Sequence, residues 1–158
     1  MRKFVWDTSA IINIKEPDST GYSAGNSLIK DLWDWWIPGP YQNIFPALAV
    51  FEVNAGVSRK KRDGSEIHRD FFLLNEHSVL YPIDEVLISR SHELFTRLGF
   101  DQLRGADLVF ACIAYIERAY LVTLDKHVVK SVSGQIAVID LNESHASPEY
   151  RTLFDKNP

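Results

Sequence analysis

Apolar residues along this chain fall into two patterns that take turns. Short apolar or aromatic runs, bounded by Pro, Gly or an acid, suit buried strands: Phe4-Val5-Trp6, Asn43 to Pro46, Ser78 to Tyr81, Tyr120 to Leu124 and Ile136 to Ile139. Between them lie longer segments with helical spacing. Ala10 to Ile14 is a short apolar helix ended by Pro17, and Gly25 to Ile37 places Leu28, Ile29, Leu32, Trp33 and Trp36 on one face. Ala47 to Arg59 predicts a helix after Pro46, and a further helix reaches about Glu76. Asp84 to Leu98 is amphipathic through Val86, Leu87, Leu94 and Leu98, with Gly99 as its stop. Gly105 to Arg118 is apolar on nearly every side and should be deeply buried, and Lys126 to Ser131 makes a short last helix. Strands alternating with helices predict a three-layer α/β/α domain with a central parallel sheet over residues 1–140. A polar tail, residues 141–158, follows; its Tyr150 to Phe154 patch suits a surface cover or a disordered end.

Composition narrows the class. A length of 158 residues is one domain with room for a proper core. Fractions of 46% hydrophobic and 24% charged residues exclude a disordered chain, and no apolar run approaches the ~20 residues of a membrane helix. Cys112 stands alone, so there is no internal disulfide and no thiol pair for a metal. Together with a start too weakly apolar for a signal peptide, this gives the expectation of a cytoplasmic protein. A net charge of −4 offers no global attraction for nucleic acid, which would need a local basic patch or acids masked by cations.

Four acids sit where apolar residues surround them. Asp7 ends the first strand and precedes Thr8 and Ser9, either of which could cap the next helix; Asp125 ends the strand Leu121-Val122-Thr123-Leu124. Glu52 interrupts the apolar Ala47 to Val53, and Asp107 opens the most hydrophobic helix. Each has a plainer reading: Asp7 or Asp125 as a helix cap, Asp107 complementing a helix dipole, Glu52 facing solvent. As a set they are harder to explain that way, because an isolated buried carboxylate needs a partner or a metal. In a parallel sheet Asp7 and Asp125 share the carboxyl edge, and they face one crevice if the strand order reverses between their strands. Converging carboxylates without a His or Cys set select Mg²⁺ or Mn²⁺.

Asp7-Thr8-Ser9, Glu52, Gly105-Ala106-Asp107 and Thr123-Leu124-Asp125, in this order and at these separations, resemble the PIN domain, the nuclease fold of VapC-type toxins. The resemblance covers about Lys3 to Ile139. It implies a PIN-like fold and a metal-dependent endoribonuclease, with Asp7, Glu52, Asp107 and Asp125 as the metal site. It also implies that Thr123 or Ser9 orients a carboxylate or a water, and that an RNA substrate, a cognate antitoxin and a homodimer are the partners. The Trp-rich segment 15–42 and the tail beyond Asp140 depart from the compact form of that family.

RNA contact has two candidates: the basic run Arg59-Lys60-Lys61-Arg62, and Arg104 shortly before Asp107. The plainer readings are a solvated loop and a surface arginine. Trp33 and Trp36 are expected in the core or at a dimer interface, whereas Trp35, off that face, could stack on a base. His127 is read as a surface residue. Two alternatives stay open: a non-catalytic PIN-like module that binds RNA or protein, and a phosphohydrolase with Asp7 as nucleophile. Phosphoaspartyl hydrolases carry Asp-x-Asp at that strand end; here Ser9 occupies the second acid's place.

Overall fold

Each apolar run predicted as a strand pairs into a single sheet. The computed structural model describes residues 1–15, 22–34, 36–60, 76–143 and 148–155. Its strands are β1 (Arg2–Trp6), β2 (Tyr41–Pro46), β3 (Ser78–Tyr81), β4 (Tyr120–Thr123) and β5 (Val138–Asp140). They are parallel throughout, in the order β3-β2-β1-β4-β5. The chain builds outward from β1 to β3, then returns to add β4 and β5 on the other side. The reversal lies between β1 and β4, where Trp6 pairs with Val122. Parallel pairing requires crossovers, and helices supply them: α1 (Thr8–Lys15), α2 (Tyr22–Trp33), α3 (Ala47–Lys60), α4 (Glu85–Ser91), α5 (Gly105–Glu117) and α6 (Lys126–Val132). The α/β/α architecture with a central parallel sheet is therefore the one the hydrophobic pattern predicts.

Burial explains why the central strands read as continuous apolar runs. Phe4, Val5 and Trp6 on β1 and Leu121 and Val122 on β4 are buried, because helices cover both faces of the sheet. Phe4 stacks on Tyr120 at 5.5 Å between centroids and Trp6 on Phe45 at 6.5 Å. The Trp6 indole N–H donates to Asn43 Oδ1 at 2.9 Å, so its polar atom is satisfied inside the core. Helix α5 is buried from Phe110 through Ala114, as a helix apolar on nearly every side must be.

Several details differ from the sequence expectation. Helix α1 starts at Thr8 rather than Ala10, since Asp7 itself caps it. Strand β5 is shifted to Val138–Asp140. The helix expected over 84–98 ends at Ser91 and tightens into a 3₁₀ turn over His92–Leu94. Its inner stripe is Leu87, Ser91 and Leu94, while Val86 and Leu98 face outward. Leu87 and Val86 are adjacent, about 100° apart on a helix, so only one of them can face the core. Trp33 and Trp36 are exposed, 64% and 68%, which overturns the core alternative for them and leaves the dimer-interface one untouched. The buried stripe of α2 is Ala24, Leu28 and Leu32 at four-residue spacing, and Trp33 lies off it. The helix expected before Glu76, and Trp35, lie outside the described residues.

The described part of the tail packs against the domain. In α7 (Pro148–Thr152) and the turn after it, Tyr150 and Leu153 are buried, and the Tyr150 hydroxyl donates to the Asp31 carboxylate on α2. The Arg2 guanidinium donates to the Asp155 carbonyl at 2.9 Å, joining both ends of the chain.

Candidate active site at the carboxyl edge of the sheet

Strand β1 stops at Trp6, which leaves Asp7 at the carboxyl edge beside the reversal of strand order. Asp7 is 4% exposed and both its oxygens are engaged. Oδ1 accepts from Ser9 Oγ and from the Ala10 backbone N–H, each at 2.7 Å, and Oδ2 accepts from the Thr123 hydroxyl. The Ala10 bond makes Asp7 the cap of α1, so the plain reading is correct as far as it goes. It leaves unexplained why a cap should be a buried charge. Burial pushes the Asp7 carboxyl up to about 6, the bonds from Thr123, Ala10 and Ser9 pull against that rise, and the Asp107 charge adds to it.

Two hydroxyls stitch the ends of β1 and β4 together. Thr123 Oγ1 donates to Asp7 and accepts the Asp125 N–H at 2.9 Å. Ser9 Oγ donates to Asp7 and accepts the Leu124 N–H at 3.0 Å. Asp125 follows directly and caps α6, its Oδ1 taking the N–H groups of His127 at 2.7 Å and Val128 at 3.2 Å. Glu52, half-buried on α3, accepts from the Thr8 hydroxyl. Asp107 lies in the first turn of α5. Its carboxyl is raised first by burial, then by the charges of Asp125 and Glu52, while His127 lowers it. Charge thus couples Asp7 to Asp107, and Asp107 in turn to Glu52 and Asp125.

Such a set matches a hard cation in its chemistry: every candidate donor is a carboxylate oxygen, and mutual repulsion is what a divalent ion relieves. Among the described residues no group of three acid, imidazole or thiol side chains is already arranged to hold a metal ion. Asp7, Asp125 and Glu52 each accept hydrogen bonds from internal donors.

The basic candidates are less concentrated. Arg104 is exposed at the cap position of α5, with extended backbone and no capping bond from its side chain. Arg59 and Lys60 end α3, and Lys61 and Arg62 lie outside the described residues. Three participants escaped the sequence reading. Thr8 anchors Glu52. His127, read as a surface residue, is exposed but acts on Asp107, and its Nε2 lies 3.3 Å from the Gln102 carbonyl. Asp140 and Asn142 form the third: Asn142 Nδ2 donates to Asp140 Oδ1 at 2.7 Å and to the Leu124 carbonyl at 2.8 Å, bracing the segment that carries Asp125. Asp140 has a legible signal, an acid directly after an apolar strand, as at Asp7.

The fold is similar to that of several solved proteins. VapBC2 from Rickettsia felis, bound to a DNA fragment from its promoter, has a TM-score of 0.60 at 19% identity, covering 87% of this chain and 98% of that one. A toxin–antitoxin complex from Klebsiella pneumoniae has a TM-score of 0.55 at 19% identity, covering 87% and 96%. VapC20 from Mycobacterium tuberculosis, a sarcin-ricin loop cleaving toxin, has a TM-score of 0.56 at 13% identity, covering 82% and 95%. At such identities the likeness concerns the fold. No curated protein matches the chain by sequence. The model of the PIN domain family matches residues 4–134, from β1 past the end of α6 and therefore across all four acids, and by that match the chain belongs to the PIN-domain family.

Proposed function

We propose that this protein is a divalent-cation-dependent endoribonuclease that hydrolyses RNA phosphodiester bonds, and that it is the toxin of a toxin–antitoxin pair. The observation that carries the reading is the coupling of four acids on separate elements, Asp7 to Asp107 and Asp107 to Asp125 and Glu52, with the Asp7 and Asp107 carboxyls both raised, first by burial. Asp7 and Asp107 are the principal ligands for Mg²⁺ or Mn²⁺, and Glu52 and Asp125 complete the set. A cation held by these carboxylates would supply Lewis acidity toward a water and the phosphate oxygens. Ser9 and Thr123 hold the Asp7 carboxylate in one orientation. Glu52, steadied by Thr8, stands ready to accept a proton. Arg104 and the run Arg59, Lys60, Lys61 and Arg62 contact phosphates.

The toxin reading draws on the fold's similarity to toxin–antitoxin complexes and to a toxin that cuts the sarcin-ricin loop. It adds a cognate antitoxin and a homodimer as partners, in a cytoplasm whose reducing poise suits the single buried thiol, Cys112. Titration calorimetry of Mn²⁺ into metal-free wild type and Asp7→Asn/Asp107→Asn provides the test, followed by incubation of both with structured RNA. Binding and Mn²⁺-dependent cutting by the wild type alone are expected. Cutting by the double variant at the wild-type rate would overturn the assignment.

A second reading, a non-catalytic module that binds RNA or protein, is favoured by one observation: Asp7 and Asp125 both cap helices. It expects no Mn²⁺ uptake by either protein and no cutting.

A further inference from the structure

The opposite end of the sheet carries a feature that the acid site does not use. Where α5 ends and β4 begins, a groove of about 750 Å³ is lined by Arg90, Arg97 and Arg118 together with Tyr115, Tyr120 and Gln135. The guanidinium of Arg97 is fixed by neutral partners. Its Nε donates to Gln135 Oε1 at 2.8 Å, its Nη1 donates to the Tyr115 hydroxyl, and it lies over the Tyr115 ring, 4.6 Å from the centroid. Neutral partners orient the fork without cancelling its charge. Arg118 is the only described non-glycine residue with positive φ (+50°). It holds the left-handed position after α5, where glycine is the favourable residue, and among the described residues no ion pair cancels its charge. A cation could complement the dipole of α5 from a less strained position. Arg90 shares the Glu117 carboxylate with Lys3 and is half exposed. Glu93 is the acid lining the groove, and with Arg90 committed to Glu117, Arg97 and Arg118 face it as two cations to one anion.

We propose that this groove is a second RNA contact, binding phosphates of the strand that flanks the cleaved bond. The proposal rests on the ribonuclease reading for its ligand. Guanidinium groups set beside partly exposed tyrosines match single-stranded RNA, where phosphates pair with arginine and bases stack on aromatic or guanidinium planes. Need and distance both support it. The acid edge repels a polyanion, the chain is net negative, and cations gathered elsewhere must hold the strand. Helix α5 carries Asp107 in its first turn and ends beside Arg118, and the rise along the helix sets the two residues about 17 Å apart.

The test measures anisotropy of a fluorescein-labelled single-stranded oligoribonucleotide with the full chain in EDTA, where binding is read without cleavage. Two variants are compared with wild type: Arg118→Gly, which relieves the backbone strain while removing the charge, and Arg97→Gln. A melting temperature for Arg118→Gly at or above wild type shows that any lost affinity is not misfolding. Each variant should weaken binding several-fold and lower the slope of log K against log salt by about 0.7, the value of one single-strand phosphate contact. Asp7→Asn/Asp107→Asn should bind at least as well as wild type. Unchanged affinity and slope in both arginine variants overturns the proposal, as does absence of wild-type binding. Displacement of the RNA by polyglutamate at lower concentration than by unlabelled RNA also overturns it, since the groove then prefers an acidic polypeptide. If the arginine variants lose RNA while the wild type never cuts it, the groove stands and the nuclease reading falls.

Discussion

Asp7 titrates near pH 6 in the folded chain instead of at the ordinary 3.8, and burial is the main cause. The folded state therefore holds this proton more tightly than the unfolded state does. Its contribution to stability is fully present below about pH 4 and is lost as pH rises through about 6. The gap of about two pKa units corresponds to roughly 3 kcal/mol. Asp7→Asn should thus be more stable than wild type at pH 8 in chelated buffer, by up to about 3 kcal/mol, and converge with it near pH 4. Denaturant melts at the two pH values decide this. A variant less stable than wild type at pH 8 would mean that the ionised carboxylate is worth more to the fold than its burial costs. Thr123 is fully buried, and its hydroxyl serves Asp7 and the Asp125 N–H at once. Thr123→Val should cost about 1–3 kcal/mol, the range for buried groups left without partners. It should also move the Asp7 titration, followed by carboxyl NMR, still higher, and Thr123→Ser should restore both.

Among the elements, the turn between the 3₁₀ segment and α5 depends on one glycine. Gly99 has φ +91°, and a Cβ built on it would lie 2.2 Å from the Ser131 carbonyl oxygen on α6. Gly99→Ala therefore combines left-handed strain with a backbone overlap and should cost at least about 2 kcal/mol, measured by urea unfolding. A near-neutral result would mean that α6 can retreat from this turn. The contact explains why a glycine stands at position 99, although the helix that Gly99 was expected to stop has already ended at Ser91. The premature end of α4 was not legible, because alternative apolar stripes through Val86 or Leu87 fit the same sequence and only docking on α5 selects one.

For the molecule as a whole, the described part of the tail, residues 148–155, packs on the domain. Leu153 is fully buried, and Tyr150 binds Asp31 on α2. Leu153→Ala should cost about 2–4 kcal/mol, like other large-to-small changes in cores, and a calorimetric melt reads it directly. A loss below about 0.5 kcal/mol would show that the tail docks only loosely. Of the two readings of the Tyr150 to Phe154 patch, a surface cover or a disordered end, the burial of Tyr150 and Leu153 selects the first.

Local sequence alone determined the strands, the buried character of α5 and the four acids, because each is written in adjacent or helically spaced residues. Asp7 and Asp125 could be assigned to one edge in advance because parallel strands all end on the same side. Which hydroxyl meets which carboxylate was decided only by the fold. Ser9 and Thr123 are 114 positions apart in the sequence, yet both bond Asp7, since β1 and β4 are neighbours at the reversal. The same holds for Thr8 with Glu52, for His127 beside Asp107 and for the arginine groove at the far edge. Those side chains come from separate elements, and no pattern along the chain encodes contacts that form only when the sheet closes.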